Sequence, residues 1–466
     1  MGFSTALKLA DLNDFIAPSQ ACVVSLNSKK IEDDGGSVKI HSRVPSSFDQ
    51  TKNVAVEKPV KVTLHDCLAC SGCITSAETV MLEHQSIEEF LNRLSDSGKS
   101  VIVSLSPQSR ASLAAYYGLS QLQVFRKLTG FLKSLGVKAV FDTSCSRDLS
   151  LIESCVEFVN RYKERQLPVV TSACPGWICY AEKTLDAEIL PYISRVKSPQ
   201  QAMGAVLKRH ACYALGLRPE DVYHVTVMPC YDKKLEASRD DFIFALENGA
   251  SGLAEVDSVL TSGEILDLLQ SRDIDFMSLE EQPLDKLLTN VDEQGHLYGV
   301  PGGSGGYAEC VFKYAAKHLF GAEPDRVEFQ VVRNADFREV KLEVDGEVRL
   351  KFALAYGFRN IQNLVRKIRL KKCEYQYVEI MACPSGCLNG GGQIKPKEGQ
   401  SAKELIQNLE SAYLQEVEMK DPFDNPIVKS LYDSWLGEPA SLSSKRVLST
   451  EYHHREKNVT SQLANW

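Results

Sequence analysis

The sequence predicts an α/β fold in which parallel sheets are flanked by helices. From Val101 onward, short apolar segments that are typical of buried strands alternate with amphipathic segments that are typical of helices. Such β-α repetition favours parallel sheets covered by helices. Three of the predicted strands run directly into cysteine residues, and the carboxyl ends of strands are where folds of this class bind cofactors.

The first predicted elements follow from apolar periodicity and from helix-start signals. Residues 101–105 predict a buried strand, and residues 122–135 carry Leu or Phe at three- and four-residue spacing on one helical face. Ser198 and Pro199 are typical of a helix start, with Ser as the cap and Pro at the first helical position. The same patterns predict strands at 137–143, 168–172 and 223–228, and a helix that ends near Tyr162.

The second half of the main domain contains a predicted β-hairpin. Residues 339–344 and 348–354 predict its two strands, and Asp345-Gly346 is a typical two-residue turn between them. The elements predicted after the hairpin are a helix at 359–372, a strand at 375–381 and helices near 402–415 and 427–436.

The chain is too long for one ordinary core, so 466 residues predict two or three domains. Residues 1–95 are rich in loops and predict a small N-terminal domain, whose cysteines are described below. Residues 96–437 contain the alternating strands and helices and predict the main domain. Residues 438–466 are polar, end at Trp466, and predict a C-terminal tail.

Charge and hydropathy exclude several classes of function. A formal net charge of −8 without a compensating basic stripe argues against a nucleic-acid binder. No apolar run approaches the roughly 18 residues of a membrane span, and the N-terminus does not resemble an export signal. In a cytosolic or nuclear chain, 14 cysteines indicate metal ligation rather than disulfides.

A first set of cysteines lies in the N-terminal domain. Cys67, Cys70 and Cys73 have the C-x-x-C-x-x-C spacing that wraps one corner of a 4Fe–4S cluster. Bacterial ferredoxins place a fourth cysteine where this chain has Ala77, so the fourth ligand must come from elsewhere, and Cys22 is the only other cysteine in this domain. A zinc site and structural thiols are the alternatives.

A second set lies in the main domain and consists of Cys174, Cys230, Cys383 and Cys387. The first two follow predicted strands and are flanked by proline, and the last two share one loop. Gly390-Gly391-Gly392 follows that loop and permits a close backbone approach. Buried free thiols are the alternative interpretation.

We expect the other six cysteines to pack as small apolar side chains rather than to bind metal. They are Cys145, Cys155, Cys179, Cys212, Cys310 and Cys373.

Three segments closely resemble the signatures of iron-only hydrogenases. They are T-S-A-C-P-G-W at 171–177, M-P-C-Y-D-K-K-L-E at 228–236 and M-A-C-P-S-G-C-L-N-G-G-G-Q at 381–393. Residues 106–110, 198–201 and 302–306 also resemble elements of that family, so the resemblance extends over about residues 60–395. It implies a two-lobed core plus a small ferredoxin-like N-terminal cluster domain.

The same resemblance implies ligands. It assigns Cys174, Cys230, Cys383 and Cys387 to a 4Fe–4S cluster between the lobes, in addition to the cluster predicted above for Cys22, Cys67, Cys70 and Cys73. In hydrogenases the residue matching Cys387 also bridges to a two-iron subcluster, which residues matching Lys233 and Met381 contact.

One departure from the hydrogenase pattern bears on activity. Hydrogenases place a proton-relaying cysteine immediately before the first ligand of the inter-lobe cluster, and here that residue is Ala173. A methyl group cannot relay protons, so we expect no catalytic residues and no hydrogenase activity.

The whole pattern is most similar to the hydrogenase-like assembly factors, also called nuclear prelamin A recognition factor-like proteins. Residues 9–22, with the upstream Cys22, resemble the assembly-factor branch. This resemblance implies a cytoplasmic location, with the nucleus open as a second one, and an adaptor or carrier role late in iron–sulfur protein assembly. The implied partners are an upstream scaffold and a targeting complex with a WD-repeat propeller subunit; neither nucleic acid nor membrane is expected. Trp466 resembles the terminal aromatic used by clients and adaptors of that complex, and a tail that takes no part in binding is the alternative interpretation.

Two alternative functions remain open at this point. One is an active or vestigial hydrogenase-type redox enzyme, which would hold a two-iron subcluster. The other is a prenylated lamin-binding interaction protein in which the clusters only stabilise the fold.

Overall fold

The computed structural model describes residues 84–96, 98–185, 187–245, 252–415 and 417–454. The strands of this part of the chain, in order, are β1 (Ser100–Leu105), β2 (Ala139–Asp142), β3 (Val169–Thr171), β4 (Val222–Met228), β5 (Ile243–Phe244), β6 (Leu253–Ala254), β7 (Ser258–Thr261), β8 (Leu297–Gly299), β9 (Gln330–Asn334), β10 (Phe337–Val344), β11 (Glu347–Tyr356), β12 (Tyr377–Met381) and β13 (Val417–Met419).

The helices alternate with these strands. In order they are α1 (Ile87–Ser95), α2 (Pro107–Tyr117), α3 (Gln121–Ser134), α4 (Thr143–Lys163), α5 (Pro175–Thr184), α6 (Pro199–Val206), α7 (Asp232–Ala237), α8 (Ser262–Ser271), α9 (Tyr307–Phe320), α10 (Phe358–Arg369), α11 (Ala402–Leu414), α12 (Pro426–Leu431) and α13 (Leu442–Leu448). Two of them continue as π-helical turns, α6 through Leu207–Ala211 and α12 through Tyr432–Leu436.

Two sheets form the framework. The first has four parallel strands in the order β2-β1-β4-β7. The second has the order β3-β12-β11-β10-β9, in which β3, β12 and β11 are parallel while β10 and β9 add an antiparallel edge. The α/β class with parallel sheets flanked by helices is therefore confirmed. The predicted N-terminal cluster domain lies, up to residue 83, outside the described residues.

Both sheets are covered on both faces, as parallel strands require. In β1, Val101 and Val103 pack against α3 and α8, whereas Ile102 points to the other face and packs against α4 and α6. This alternation is the period-2 pattern of a pleated strand. The second sheet is covered by α5 and α10 on one face and by α4 and α9 on the other.

Helix α4 joins the two sheets. Its Cys145, Leu149 and Ile152 belong to the core of the first sheet, whereas Leu151 and Phe158 belong to the core of the second. A 21-residue helix is long enough to present different faces to two partners. The relative position of the two sheets is therefore fixed through the packing of α4.

The predicted elements occur with small changes at their ends. The hairpin turns at Asp345-Gly346 as predicted, with positive φ angles of 54° and 76° that fit a type I′ turn. Helix α10 ends at Arg369, three residues before the predicted Lys372. Strand β9 was not predicted, because its five residues are all exposed and carry no apolar alternation.

The packing of α4 leads to a prediction for stability. Phe158 is fully buried, with its ring centroid 5.0 Å from that of Phe352 and 5.5 Å from that of Tyr377. Phe158→Ala should lower the free energy of unfolding by about 3–5 kcal/mol, because it leaves a cavity where α4 meets the second sheet. The urea midpoint of the metal-free protein measures this loss.

Leu442→Ala is the control, because Leu442 is 87% exposed and its truncation should change stability by less than about 0.5 kcal/mol. Equal midpoints for the two variants would contradict the account of α4 as the helix that joins the sheets.

Candidate metal centre

The four cysteines of the second set line one cavity. Its volume is about 60 Å³, and Cys174, Cys230, Cys383 and Cys387 all contribute to its wall. They reach it from the carboxyl ends of strands in both sheets: Cys174 follows β3, Cys230 follows β4, and the other two follow β12. Strand ends are the expected position for a ligand site in such sheets.

Cys174 is fixed by its neighbours on β3 and β12. Its backbone N–H donates to Ser172 Oγ (3.1 Å), and that hydroxyl donates to the Ile380 carbonyl (2.5 Å). Cys174 then caps α5, and Pro175 occupies the first helical position. Proline is favoured there because its fixed φ suits the helix and its missing N–H would have had no helical partner. The thiol therefore has a well-defined backbone position.

Cys383 and Cys387 are held on a tight loop with left-handed backbone angles. Ser385 and Gly386 have φ angles of 57° and 73°. The N–H of Cys387 donates to Ser304 Oγ at 3.0 Å, and a Cβ at Gly386 would lie only 1.9 Å from that oxygen. Glycine is thus required at position 386 both by its backbone angle and by the approach of Ser304.

The loop after β12 touches the loop after β4 through backbone atoms. A Cβ at Gly390 would lie 2.3 Å from the Pro229 carbonyl oxygen. The N–H of Gly392 donates to the same oxygen at 2.9 Å, next to Cys230. The glycines therefore bring the cysteines of the two sheets to one place, and the close approach expected for Gly390-Gly391-Gly392 is an approach to backbone.

Two of the cavity thiols, those of Cys174 and Cys387, are poor acids while no metal is bound. Burial raises the pKa of Cys387 to about 12, and the neighbouring Cys174 thiol raises it further in the same direction. Burial also raises the pKa of Cys174, with a second contribution from Asp232. Because the thiolate is the metal ligand, a cation that binds here must displace protons.

Two cationic side chains also line the cavity, Lys233 and Arg147. Lys233 Nζ donates to Glu236 Oε2 at 2.8 Å and to Ser198 Oγ at 3.1 Å, so its charge is compensated. Arg147 did not emerge from the sequence. The signal that could have found it is its place in the first turns of α4, directly after β2 reaches its carboxyl end.

The other residues that matched hydrogenase elements also lie at this cavity. Met381 Sδ is 3.9 Å from the Cys387 sulfur, and Ala173 is part of the wall. The segments at 106–110, 198–201 and 302–306 meet there as well, since Pro107, Gln108, Pro199, Ser304 and Gly305 line the same space.

The cysteines that were not predicted as ligands are packed in the cores. Cys145 and Cys212 are buried beside the first sheet and Cys155 beside the second, where its sulfur is 3.7 Å from that of Cys310. Cys373 packs against the core beside α10, and Cys179 is half-buried. These positions fit the role of small apolar residues.

The first cysteine set cannot be placed in this way. Cys22, Cys67, Cys70, Cys73 and Trp466 lie outside the described residues. Among the described residues, the four cavity cysteines included, no group of three or more His, Cys, Asp or Glu side chains is arranged to hold a single metal ion. None of the described helices has the length and apolar character that a bilayer crossing needs.

Two family models match the chain. Residues 99–391 match "Iron only hydrogenase large subunit, C-terminal domain", and residues 404–455 match "Iron hydrogenase small subunit". Among solved structures, an apo FeFe-hydrogenase HydA1 variant from Chlamydomonas reinhardtii superposes with a TM-score of 0.69 and 29% identity, over 79% of this chain and 98% of that one.

Curated relatives are similar over the full length. "Protein NAR1" of Arabidopsis thaliana is 60% identical over 483 residues, which cover 100% of this chain and 99% of the relative. "Cytosolic iron-sulfur assembly component 3" of Mus musculus is 49% identical, and "Cytosolic Fe-S cluster assembly factor narfl" of Xenopus tropicalis is 47% identical, each with the same coverage.

Together these similarities imply an iron–sulfur cofactor. The chain belongs to the iron-only hydrogenase-like family, in the branch of the NAR1/narfl cytosolic iron–sulfur cluster assembly factors.

Proposed function

We propose that the chain is a non-catalytic iron–sulfur protein that acts as an adaptor or carrier in late cytosolic and nuclear iron–sulfur protein assembly. In this role it links the scaffold that builds clusters to the complex that delivers them. The observation that carries the proposal is the cavity itself: four thiols line it, and Ala173 stands in its wall. The names of the full-length relatives support the same role in the cytosol.

Two 4Fe–4S clusters are proposed, each with four cysteine ligands. Cys174, Cys230, Cys383 and Cys387 would hold one of them, and the donor set at the cavity fits because Fe–S clusters of this type take four thiolates. When bound, such a cluster accepts or releases one electron. The second cluster is proposed for the other cysteine set, which is Cys22, Cys67, Cys70 and Cys73.

The proposal that the chain is not a catalyst rests on the lack, among the described residues, of a side chain that could relay protons at the cavity. A relay at the cavity needs an ionisable group beside the reacting atoms. Ala173 offers only a methyl group, and Lys233 is engaged by Glu236 and Ser198. The side chains at this wall therefore favour a cluster that is held rather than one that turns over hydrogen.

A hydrogenase-type redox enzyme is the second candidate function. It is favoured by one observation, which is that Lys233 and Met381 both remain at the cavity beside Cys387. This candidate requires a two-iron subcluster in addition to the cubane.

The domain division stays part of the proposal, with residues 1–95 for the N-terminal cluster, 96–437 for the lobes and 438–466 as the tail. In the described part of the tail, α13 packs Val447 and Leu448 against the core of the first sheet. The end of the tail would contact the partner, with Trp466 binding the WD-repeat propeller subunit of the targeting complex.

The content of iron and sulfide tests the two clusters. Protein prepared without oxygen should contain roughly eight iron and eight acid-labile sulfide per chain. Cys387→Ala should remove about four of each, because the inter-lobe cluster loses a ligand, and Cys70→Ala should remove about four from the other cluster. Metal analysis with ferrous chelators, sulfide assay and zinc determination measures these changes.

Cys373→Ala is the control, because Cys373 lies outside the cavity and should leave both contents unchanged. An excess of about two iron without matching sulfide would support the redox enzyme instead. Zinc in place of iron would overturn the proposal for the set concerned.

The backbone contact between the two loops leads to a second prediction. Gly390→Ala should strongly reduce the iron bound at the inter-lobe site, because the new Cβ would lie 2.3 Å from the Pro229 oxygen and would push the cysteine loops apart. Iron content and the visible absorption of the cluster measure the loss.

Gly263→Ala is a matched control. Its Cβ would meet nothing closer than 3.6 Å, and the position is helical, so Ala should be tolerated or slightly stabilising. If Gly390→Ala retained iron at the level of Gly263→Ala, the loop contact would not shape the site.

The adaptor role predicts an effect of the last residue. Removing Trp466 should weaken binding to the targeting complex by at least tenfold, or about 1.4 kcal/mol, because a terminal aromatic anchor would be lost from its pocket. Pull-down or calorimetry with the purified complex measures it. Removing Trp466 should leave the iron content unchanged, and unchanged binding by the shortened chain would speak against this contact.

A further inference from the structure

Arg147 is a buried cation without a carboxylate partner. Its side chain lies on α4 at the wall of the four-cysteine cavity, and the residue is only 4% exposed. Its Nη1 donates to the hydroxyl of Tyr413 at 2.5 Å. Its Nε is buried and has no hydrogen-bond partner. Within the described residues, no ion pair is formed by this guanidinium.

The two carboxylates nearest to Arg147 are engaged elsewhere. Asp142 Oδ2 accepts from Arg110 Nη1 at 2.5 Å, in a buried ion pair. Asp148 Oδ2 accepts from the side-chain amides of Asn290 (2.9 Å) and Asn425 (2.8 Å). Neither carboxylate therefore accepts a hydrogen bond from Arg147, and their charges act on its guanidinium only through space.

The backbone of β8 packs closely against the guanidinium of Arg147. A Cβ at Gly299 would lie 2.6 Å from Nη2, so the glycine lets the chain pass against this group. The same side chain lines the cavity with its four thiols. Arg147 thus differs from Lys233, the other cation at this wall, whose charge is balanced by Glu236.

A buried cation that has no anion within hydrogen-bond distance is costly, and an anion in the adjoining cavity would lower that cost. A cubane cluster with four thiolate ligands is such an anion, and its negative charge grows by one electron on reduction. The charge and hydrogen bonds around a cluster set its reduction potential.

We propose that Arg147 is the counter-charge of the inter-lobe cluster and favours its reduced state. The inference rests on the cluster assigned to this cavity under the proposed function. Arg147 acts here as a positioning and charge-compensating residue and takes no part in ligation.

The first test is the reduction of the cluster in the full chain. With Arg147→Met, the ratio of reduced to oxidised cluster at the wild-type midpoint potential should fall about tenfold, which is about 59 mV for a one-electron couple. Arg147→Lys keeps the positive charge, so the ratio of reduced to oxidised cluster should fall by less than about threefold in this variant. Tyr413→Phe keeps the guanidinium and should also stay close to wild type. Titration followed by electron paramagnetic resonance measures the ratio.

The second test uses the metal-free protein and needs no cluster. Without the cluster the unpaired cation destabilises the cavity, so metal-free Arg147→Met should melt at the same temperature as the metal-free wild type or higher. A merely structural arginine would give the opposite result, with a lower melting temperature both with and without iron.

Each outcome decides the matter. A wild-type ratio of reduced to oxidised cluster in Arg147→Met, or a metal-free Arg147→Met that is less stable or unfolded, would overturn the counter-charge. If the assignment of a cluster to this cavity is itself wrong, the result is distinguishable. Cys387→Ala would then leave the iron content unchanged, whichever residue stands at position 147.

Discussion

The backbone contact between the loops after β4 and β12 is the constraint on which the site depends. Gly390 and Gly392 lie against the carbonyl of Pro229, and any larger residue at 390 would push the loops apart. Cys230 belongs to one sheet, whereas Cys383 and Cys387 belong to the other. A cavity with four thiols exists only because glycine lets these two chain segments approach so closely.

Helix α4 carries the same constraint into the rest of the fold. One part of it packs on the first sheet and another part on the second, so the sheets cannot move apart without exposing both cores. Its N-terminal turns also form part of the cavity wall through Thr143 and Arg147. The helix that joins the two sheets is thus also the helix that places the positive charge of Arg147 beside the thiols.

The sequence was informative where the signals are local. Cysteines placed after apolar strands, next to Gly and Pro, predicted the four thiols of the cavity, and Asp345-Gly346 predicted its turn. The position of Arg147 directly after β2 is a local signal, but its burial at the cavity wall depends on α4 packing between sheets that are distant in sequence. Strand β9 was missed for a related reason: its exposed residues pair with β10 through backbone alone, which leaves no apolar pattern.

The electrostatics of the cavity also bear on which cluster a carrier would exchange. In the metal-free site the thiol of Cys387 keeps its proton, since burial raises its pKa to about 12, and the buried Nε of Arg147 has no hydrogen-bond partner. A cluster satisfies both groups at once, because it replaces the thiol protons and supplies negative charge beside the guanidinium. Its release would leave both groups unsatisfied in a cavity closed by a backbone contact between two sheets. The cavity between the two sheets is therefore better suited to retain a cluster than to exchange it.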